Sequence, residues 1–316
     1  MATRKIFVNL KRFDIPRALG GVCPEHDPGQ WMEWVIAQCV EYGLGRRDDL
    51  ELTLFLPEGL LLKAAHALSS FPAEATRSLR LGCQGVFRED VAPGGNFGAF
   101  TTNRPASAAR NMGCSWAMTG HSEERKDKLG VIAAYDPSIL AEESRQNRAN
   151  RAVDGLIHAE TVCALRAGLN VLLCVGETAA EKGEGSFAEQ QPRIAAVLRS
   201  QLEAGLQGVR EFLPERQIAI AYEPVWAIGP GKTPPGAEYI AFVAGTIKNI
   251  IQELWGQTLP VVYGGGLKLE NAAAIAGIDA IDGGLVALTR FSGTIGFEPA
   301  GLNEIIAAID RSAAGR

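Results

Sequence analysis

The strongest constraint on the fold of this chain is an alternation repeated along its whole length. Short, unbroken apolar runs recur, each followed by a stretch with helical spacing. The runs are residues 6–10, 52–56, 79–83, 116–119, 171–175, 218–222, 259–263 and 284–286. They are continuous rather than alternately polar and apolar, so they read as strands buried on both faces, the pattern of a parallel sheet. Between them lie amphipathic segments. In 237–254 the residues Ile240, Val243, Ile247, Ile250, Ile251 and Leu254 recur at spacings of three and four, the stripe of a helix lying on a sheet. Residues 30–42, 160–167 and 191–203 have similar patterns. Eight strands with helices between them predict an α/β fold, a (β/α)8 barrel, with a doubly wound sheet as the alternative. No Pro/Gly/Ser linker divides residues 1–316, so a single domain is expected.

Composition excludes several functional classes. Hydrophobic residues make up 47% and charged residues 21% of the 316, an ordinary globular balance. The net charge of −5, with no block of Lys or Arg, argues against a nucleic-acid surface. An anionic ligand must therefore be held by local donors, not by a general positive field. Six cysteines are scattered (Cys23, Cys39, Cys83, Cys114, Cys163 and Cys174), with no C-x-x-C pair and no histidine at metal-ligand spacing. They read as free thiols in a reducing cytoplasm, with no metal site. The start of the chain lacks the apolar core of a signal peptide, and no apolar run reaches the roughly 18 residues of a membrane span.

Barrels of this kind carry chemistry on the loops that follow the strands. Here the strand ends offer Asn9 and Lys11, then Gly120-His121-Ser122-Glu123, then Glu223, then Tyr263-Gly264-Gly265-Gly266, then Ala287, Leu288 and Thr289. The most specific stretch is AYEPVWAIGPGKT at 221–233: a carboxylate at the end of a strand, then a stiff segment, then a glycine loop. This suits a base on a rigid ledge under a lid. By residue type, Glu223 is a carboxylate base and His121 a hydrogen-bonding electrophile. Lys11 is a fixed positive charge, and Asn9 an amide donor for a developing oxyanion. The glycines supply backbone N–H groups able to approach a phosphate closely. Singly, each has a bland reading: a core histidine, a surface turn, a flexible glycine run. Jointly they describe proton abstraction beside the carbonyl of a phosphorylated substrate.

These residues resemble the triosephosphate isomerase family over nearly the whole chain. The resemblance runs through VNLK, GAFT at 98–101, GHSEER, CVGE at 174–177, AYEPVWAIGPGKT, YGGG and DGGLVALT. It implies a TIM barrel, extended here in its first and third loops (12–29 and 87–103), and an aldose–ketose isomerase working through an enediolate. It further implies that Glu223 is the base, that neutral His121 polarises the carbonyl, and that Lys11 stabilises the enediolate and the phosphate. Asn9 would assist at the oxygen and Glu123 support the site from behind. Gly229 of the lid, Gly266, Ala287 and Leu288 would bind phosphate. No cofactor or metal is implied, and a homodimer is expected.

Some positions depart from the family pattern. Gly266 stands where a phosphate-gripping serine is usual, Ala287 and Leu288 replace two glycines, and Pro230 replaces a lid threonine. Asn103 and Glu124 replace a pair of opposite charges that meets across the dimer. The first loop, with three prolines and three glycines, borders the substrate and offers Asp14 and Arg17 to a larger sugar, or else it is a plain surface loop. The expected substrate is a triose phosphate. A four-carbon ketose phosphate and a non-catalytic sugar-phosphate binder are the alternatives.

Overall fold

The computed structural model describes residues 3–229, 231–291 and 293–314. Eight parallel strands close into a barrel in sequence order, β1-β2-β3-β4-β5-β6-β7-β8, which excludes the doubly wound sheet. They are β1 (Arg4–Asn9), β2 (Leu50–Leu56), β3 (Leu79–Cys83), β4 (Trp116–Thr119), β5 (Asn170–Val175), β6 (Ile218–Tyr222), β7 (Val261–Tyr263) and β8 (Gly283–Val286). Closure is made by β1 against β8, with Lys5 opposite Gly283 and Val8 opposite Val286. All eight predicted strands are present. The seventh starts two residues later than expected, after Pro260, which has no N–H for a ladder.

Side chains alternate across each strand, and this parity sorts the apolar residues into two clusters. Phe7, Phe55, Trp116, Met118, Leu172, Cys174, Ala219, Ala221, Val262 and Leu285 pack with one another and fill the barrel. Their strand neighbours Ile6, Val8, Leu54, Val171, Leu173 and Ile220 belong to the larger cluster beneath the helices. Phe7 meets Trp116 edge-on at 5.0 Å. Gly82 makes room for Phe55, because a Cβ there would lie 2.5 Å from the ring. Lys5 closes the lower end, its ammonium 2.6 Å from Gln217 Oε1 and 5.1 Å from the Trp116 ring centroid.

The helices behave largely as their spacing predicts. Helix Ala237–Trp255 buries Ile240, Val243, Ile247, Ile250 and Ile251 against the barrel, whereas Leu254, last on the expected stripe, is 38% exposed at its end. The helix expected at 160–167 is the last part of a 24-residue helix, Glu143–Arg166. Its first half is polar and lies over another helix, so its apolar spacing was legible only where it reaches the barrel. All six cysteines are free. Among the described residues no helix is long and apolar enough to cross a membrane.

Candidate active site

Strand parity also places the chemistry. Continuing Phe7, Met118 and Ala221 by two residues along their strands gives Asn9, Gly120 and Glu223, the next layer above the packed interior. Asn9 is 5% and Glu223 3% exposed. Glycines make the bowl around the carboxylate. A Cβ on Gly176 would fall 1.7 Å from the Glu223 carbonyl oxygen, and one on Gly264 would lie 3.3 Å from Glu223 Cγ.

His121 is the N-cap of helix Ser122–Tyr135. Its Nδ1 accepts the N–H of Glu123 at 3.2 Å. A nitrogen that accepts is unprotonated, so the neutral ring carries its proton on Nε2. Nε2 lies 3.1 Å from Glu223 Oε1 and 3.5 Å from Asn9 Nδ2. The Asn9 amide is oriented by its other end: Oδ1 accepts the Lys11 N–H at 3.1 Å and Gln84 Nε2 at 3.0 Å. Two donors, Asn9 Nδ2 and His121 Nε2–H, therefore converge on one point beside the carboxylate, where a single oxygen can accept from both.

Glu223 is held by the same helix terminus. Its Oε2 accepts the Ser122 N–H at 2.9 Å, and its Oε1 the Ser122 hydroxyl at 3.3 Å. Lys11 pairs with Glu123, Nζ to Oε1 2.8 Å. Burial raises the Glu123 pKa, but the hydrogen bond and charge of Lys11 outweigh it and hold the carboxyl below its ordinary value. Asn9, Lys11, His121, Glu123 and Glu223 thus form one connected group. Gln84 belongs with it, also accepted by the Lys11 carbonyl at 2.9 Å. Sequence reading passed over Gln84. The available signal was its position two residues beyond Gly82, on the inward parity of β3.

The lid is anchored at its root. Glu177, fully buried, accepts on Oε1 from Tyr222 OH at 3.0 Å, Trp226 Nε1 at 2.7 Å and Tyr239 OH at 2.7 Å. Burial pushes this carboxyl above its usual range against the pull of the three donors. Lys182 lies 4.6 Å above the Trp226 ring. Beyond Trp226 the chain is freer. Gly229 is exposed at φ 120°, with open space among the described residues where a side chain would point. Pro230 lies outside the described residues.

The remaining predicted ligand residues sit on the loops that follow β7 and β8. Gly266, at φ 91°, lies beside the far flank of the lid, where a Cβ would be 3.7 Å from Pro234, and Gly265 is packed against Pro224 at its root. Ala287 and Leu288 follow β8. Leu288 is half-buried and packs against the core. Beyond it, Arg290 and Gly296 pair in an isolated antiparallel bridge. The first loop reaches this bridge: Arg17 donates to the Ile295 carbonyl at 2.9 Å. Asp14 is paired with Arg12. Both first-loop candidates for substrate contact are thus engaged with protein. The third loop extends outward, closed at its base by Phe87 N–H to the Arg104 carbonyl at 2.8 Å, with Phe97 at its tip 96% exposed.

A family-wide profile described as triosephosphate isomerase matches residues 51–294. This chain belongs to the triosephosphate isomerase family. The match begins within β2, so Asn9, Lys11 and the long first loop lie outside it. A triosephosphate isomerase of Oleidesulfovibrio alaskensis is 35% identical over 242 residues, covering 76% of this chain and 80% of that protein. One from Prosthecochloris aestuarii is 31% identical over 263 residues, covering 82% and 89%. The crystal structure of triosephosphate isomerase from Bartonella henselae superposes with a TM-score of 0.65 over 97% of this chain and 99% of that one, at 22% identity, a likeness of fold.

Proposed function

We propose that this protein interconverts glyceraldehyde 3-phosphate and dihydroxyacetone phosphate through an enediolate. The observation that carries the reading is the contact of His121 Nε2 with Glu223 Oε1 at 3.1 Å, beside the Asn9 amide. A base and two oxyanion donors then face one small volume. Substrate enters with its carbonyl oxygen between Asn9 Nδ2 and His121 Nε2–H, displacing the His121–Glu223 contact. Glu223, released from Ser122, takes a proton from the carbon beside the carbonyl. Charge accumulates on the oxygen, where His121 and Asn9 stabilise it and His121 transfers a proton. Glu223 then returns its proton to the neighbouring carbon. Lys11 offsets the negative charge of the enediolate and the phosphate. Backbone N–H groups of Gly229, Gly266, Ala287 and Leu288 hold the phosphate, replacing the hydroxyl that Gly266 lacks. Closure of the lid that follows Trp226 excludes water and prevents loss of phosphate from the intermediate; this family is a standard case of such gating.

The three-carbon substrate is favoured over a four-carbon ketose phosphate because the relatives are named triosephosphate isomerase and because Asp14 and Arg17 are tied up within the loops. The base and paired donors speak against a pure binding protein, which has no use for a base. The reading extends to a single catalytic domain over 1–316, acting in the cytoplasm as a homodimer in which the projecting third loop meets a second copy. Offering purified protein glyceraldehyde 3-phosphate beside a panel of tetrulose phosphates tests the assignment. Strong preference for the triose phosphate is expected, and turnover of a tetrulose phosphate alone overturns it.

A further inference from the structure

Glu124, where the family pattern has arginine, does not point outward. Its Oε2 accepts the Gly120 N–H at 2.6 Å, and its Oε1 lies 2.9 Å from Lys128 Nζ. Lys128 is shared: its ammonium is also 2.9 Å from Glu160 Oε1. Glu160 is 4% exposed, and its Oε2 is buried without a partner among the described residues. A second chain of contacts holds the other side of the same peptide. Arg125 Nε donates to the Gly120 carbonyl at 2.8 Å, and its NH1 is 2.6 Å from Asp154, which is 4% exposed. Glu160 and Asp154 both come from helix Glu143–Arg166. Gly120 itself, at φ 74°, has no slack, since a Cβ would meet the Cys174 carbonyl oxygen at 2.9 Å.

We infer that Glu124, Lys128 and Glu160 form a partly buried positioning relay for the isomerisation, fixing the Gly120–His121 turn and through it the direction of the His121 imidazole. None of the three touches substrate. The inference rests on the assignment of His121 above. Its logic is electrostatic. With every group ionised, Glu124, Lys128, Glu160, Arg125 and Asp154 carry a net charge of −1, and two carboxylates compete for one ammonium. A proton on Glu160 makes the cluster neutral, leaves Lys128 to Glu124, and lets the Glu160 carboxyl donate to Glu124. The structure favours that state: burial, then the charge of Glu124, push the Glu160 carboxyl up to about 8 despite Lys128. The titratable groups around Glu160 are Glu124 and Lys128 from the facing helix and Cys163 on its own helix. Loss of the Glu160 proton therefore pulls Lys128 from Glu124 and loosens the hold on the Gly120 N–H, turning a buried structural charge into a control on the alignment of the catalytic histidine.

The test combines kinetics with imidazole NMR on the full chain. Thermal melting verifies that each variant is folded. The chain has four histidines, and loss of one set of ring signals in H121Q assigns those of His121. In E124A, kcat for glyceraldehyde 3-phosphate should fall at least tenfold with KM within about twofold, because binding groups are untouched while alignment is lost. E124Q, which keeps an acceptor for Gly120, should recover part of that loss. In wild type kcat should decline above pH 8, and in E160Q that decline should move by at least one pH unit. The His121 ring signals should shift in E124A and, in wild type but not in E160Q, should titrate near pH 8. An unchanged kcat, pH profile and His121 spectrum in E124A and E160Q overturns the relay. Full activity in H121Q overturns the assignment of His121 instead, and in that event the ring signals alone still decide whether the relay orients the imidazole.

Discussion

The two halves of the bowl at the carboxyl ends of the strands are built on different principles. On the β1, β4 and β6 side, Asn9, His121 and Glu223 are side chains held by hydrogen bonds of 2.9–3.3 Å. On the β7 and β8 side, Gly266, Ala287 and Leu288 offer main chain. Proton transfer requires particular atoms at particular points, and only specific side chains supply them. A phosphate can be held by any N–H that approaches closely enough. On this reading the first half should tolerate almost no substitution, while the second can accept side chains that pack elsewhere. Leu288 packs its side chain on the core.

The sharpest way to break this contrast is Glu223→Gln. Turnover and solvent-deuterium uptake beside the carbonyl should both fall on the order of a thousandfold, with KM little changed. Near-normal exchange would sink the base assignment. His121→Gln comes next, with kcat expected to drop on the order of a hundredfold for the loss of one oxyanion donor; an effect confined to KM would place His121 in binding instead. Tyr239→Phe removes one of the three donors on Glu177 and loosens the root of the lid. We expect kcat/KM to fall by about threefold to tenfold, with inorganic phosphate detected as a side product, whereas a faithful reaction at full rate would separate Tyr239 from lid control. On the other half, Leu288→Ala should lower stability by about 1–2 kcal/mol in urea unfolding while KM stays within about twofold; a large KM change would mean that this side chain lines the phosphate site.

The smallest effect concerns pH and stability. Glu160 is ordinarily ionised above about 4.5, but in the folded protein it holds its proton up to about 8. Its favourable contribution is therefore complete below 4.5 and is lost progressively as the pH rises to 8. Glu160→Gln cannot ionise and escapes that loss. At pH 9 it should be more stable than wild type by on the order of 1 kcal/mol, and a lower melting temperature than wild type at that pH would contradict the burial argument.

Much of this architecture was legible in the chain. Continuous apolar runs separated by helical spacing can satisfy their buried faces and backbone in few ways, and strand order followed. Glu223 was legible because an acidic residue closes an otherwise apolar strand before a glycine-rich loop. His121 and Asn9 were legible as strand-end residues, but not as partners, since 112 residues separate them and only barrel closure brings their strand ends together. Gln84 escaped notice because a lone glutamine has no spacing signal. Glu124 read only as a changed polar contact between subunits, and its contacts with Gly120 and Lys128 escaped notice.

By itself the sequence determined the barrel and the family and singled out the residues proposed for proton transfer, because periodicity and residue type act locally and survive in one dimension. Tertiary structure alone decided the three donors gathered on Glu177, the packing of Leu288 on the core and the reach of Lys128 to Glu160 on another helix. Each depends on contacts between residues remote in the chain, and the two carboxylate contacts depend also on burial that makes an unmet charge costly.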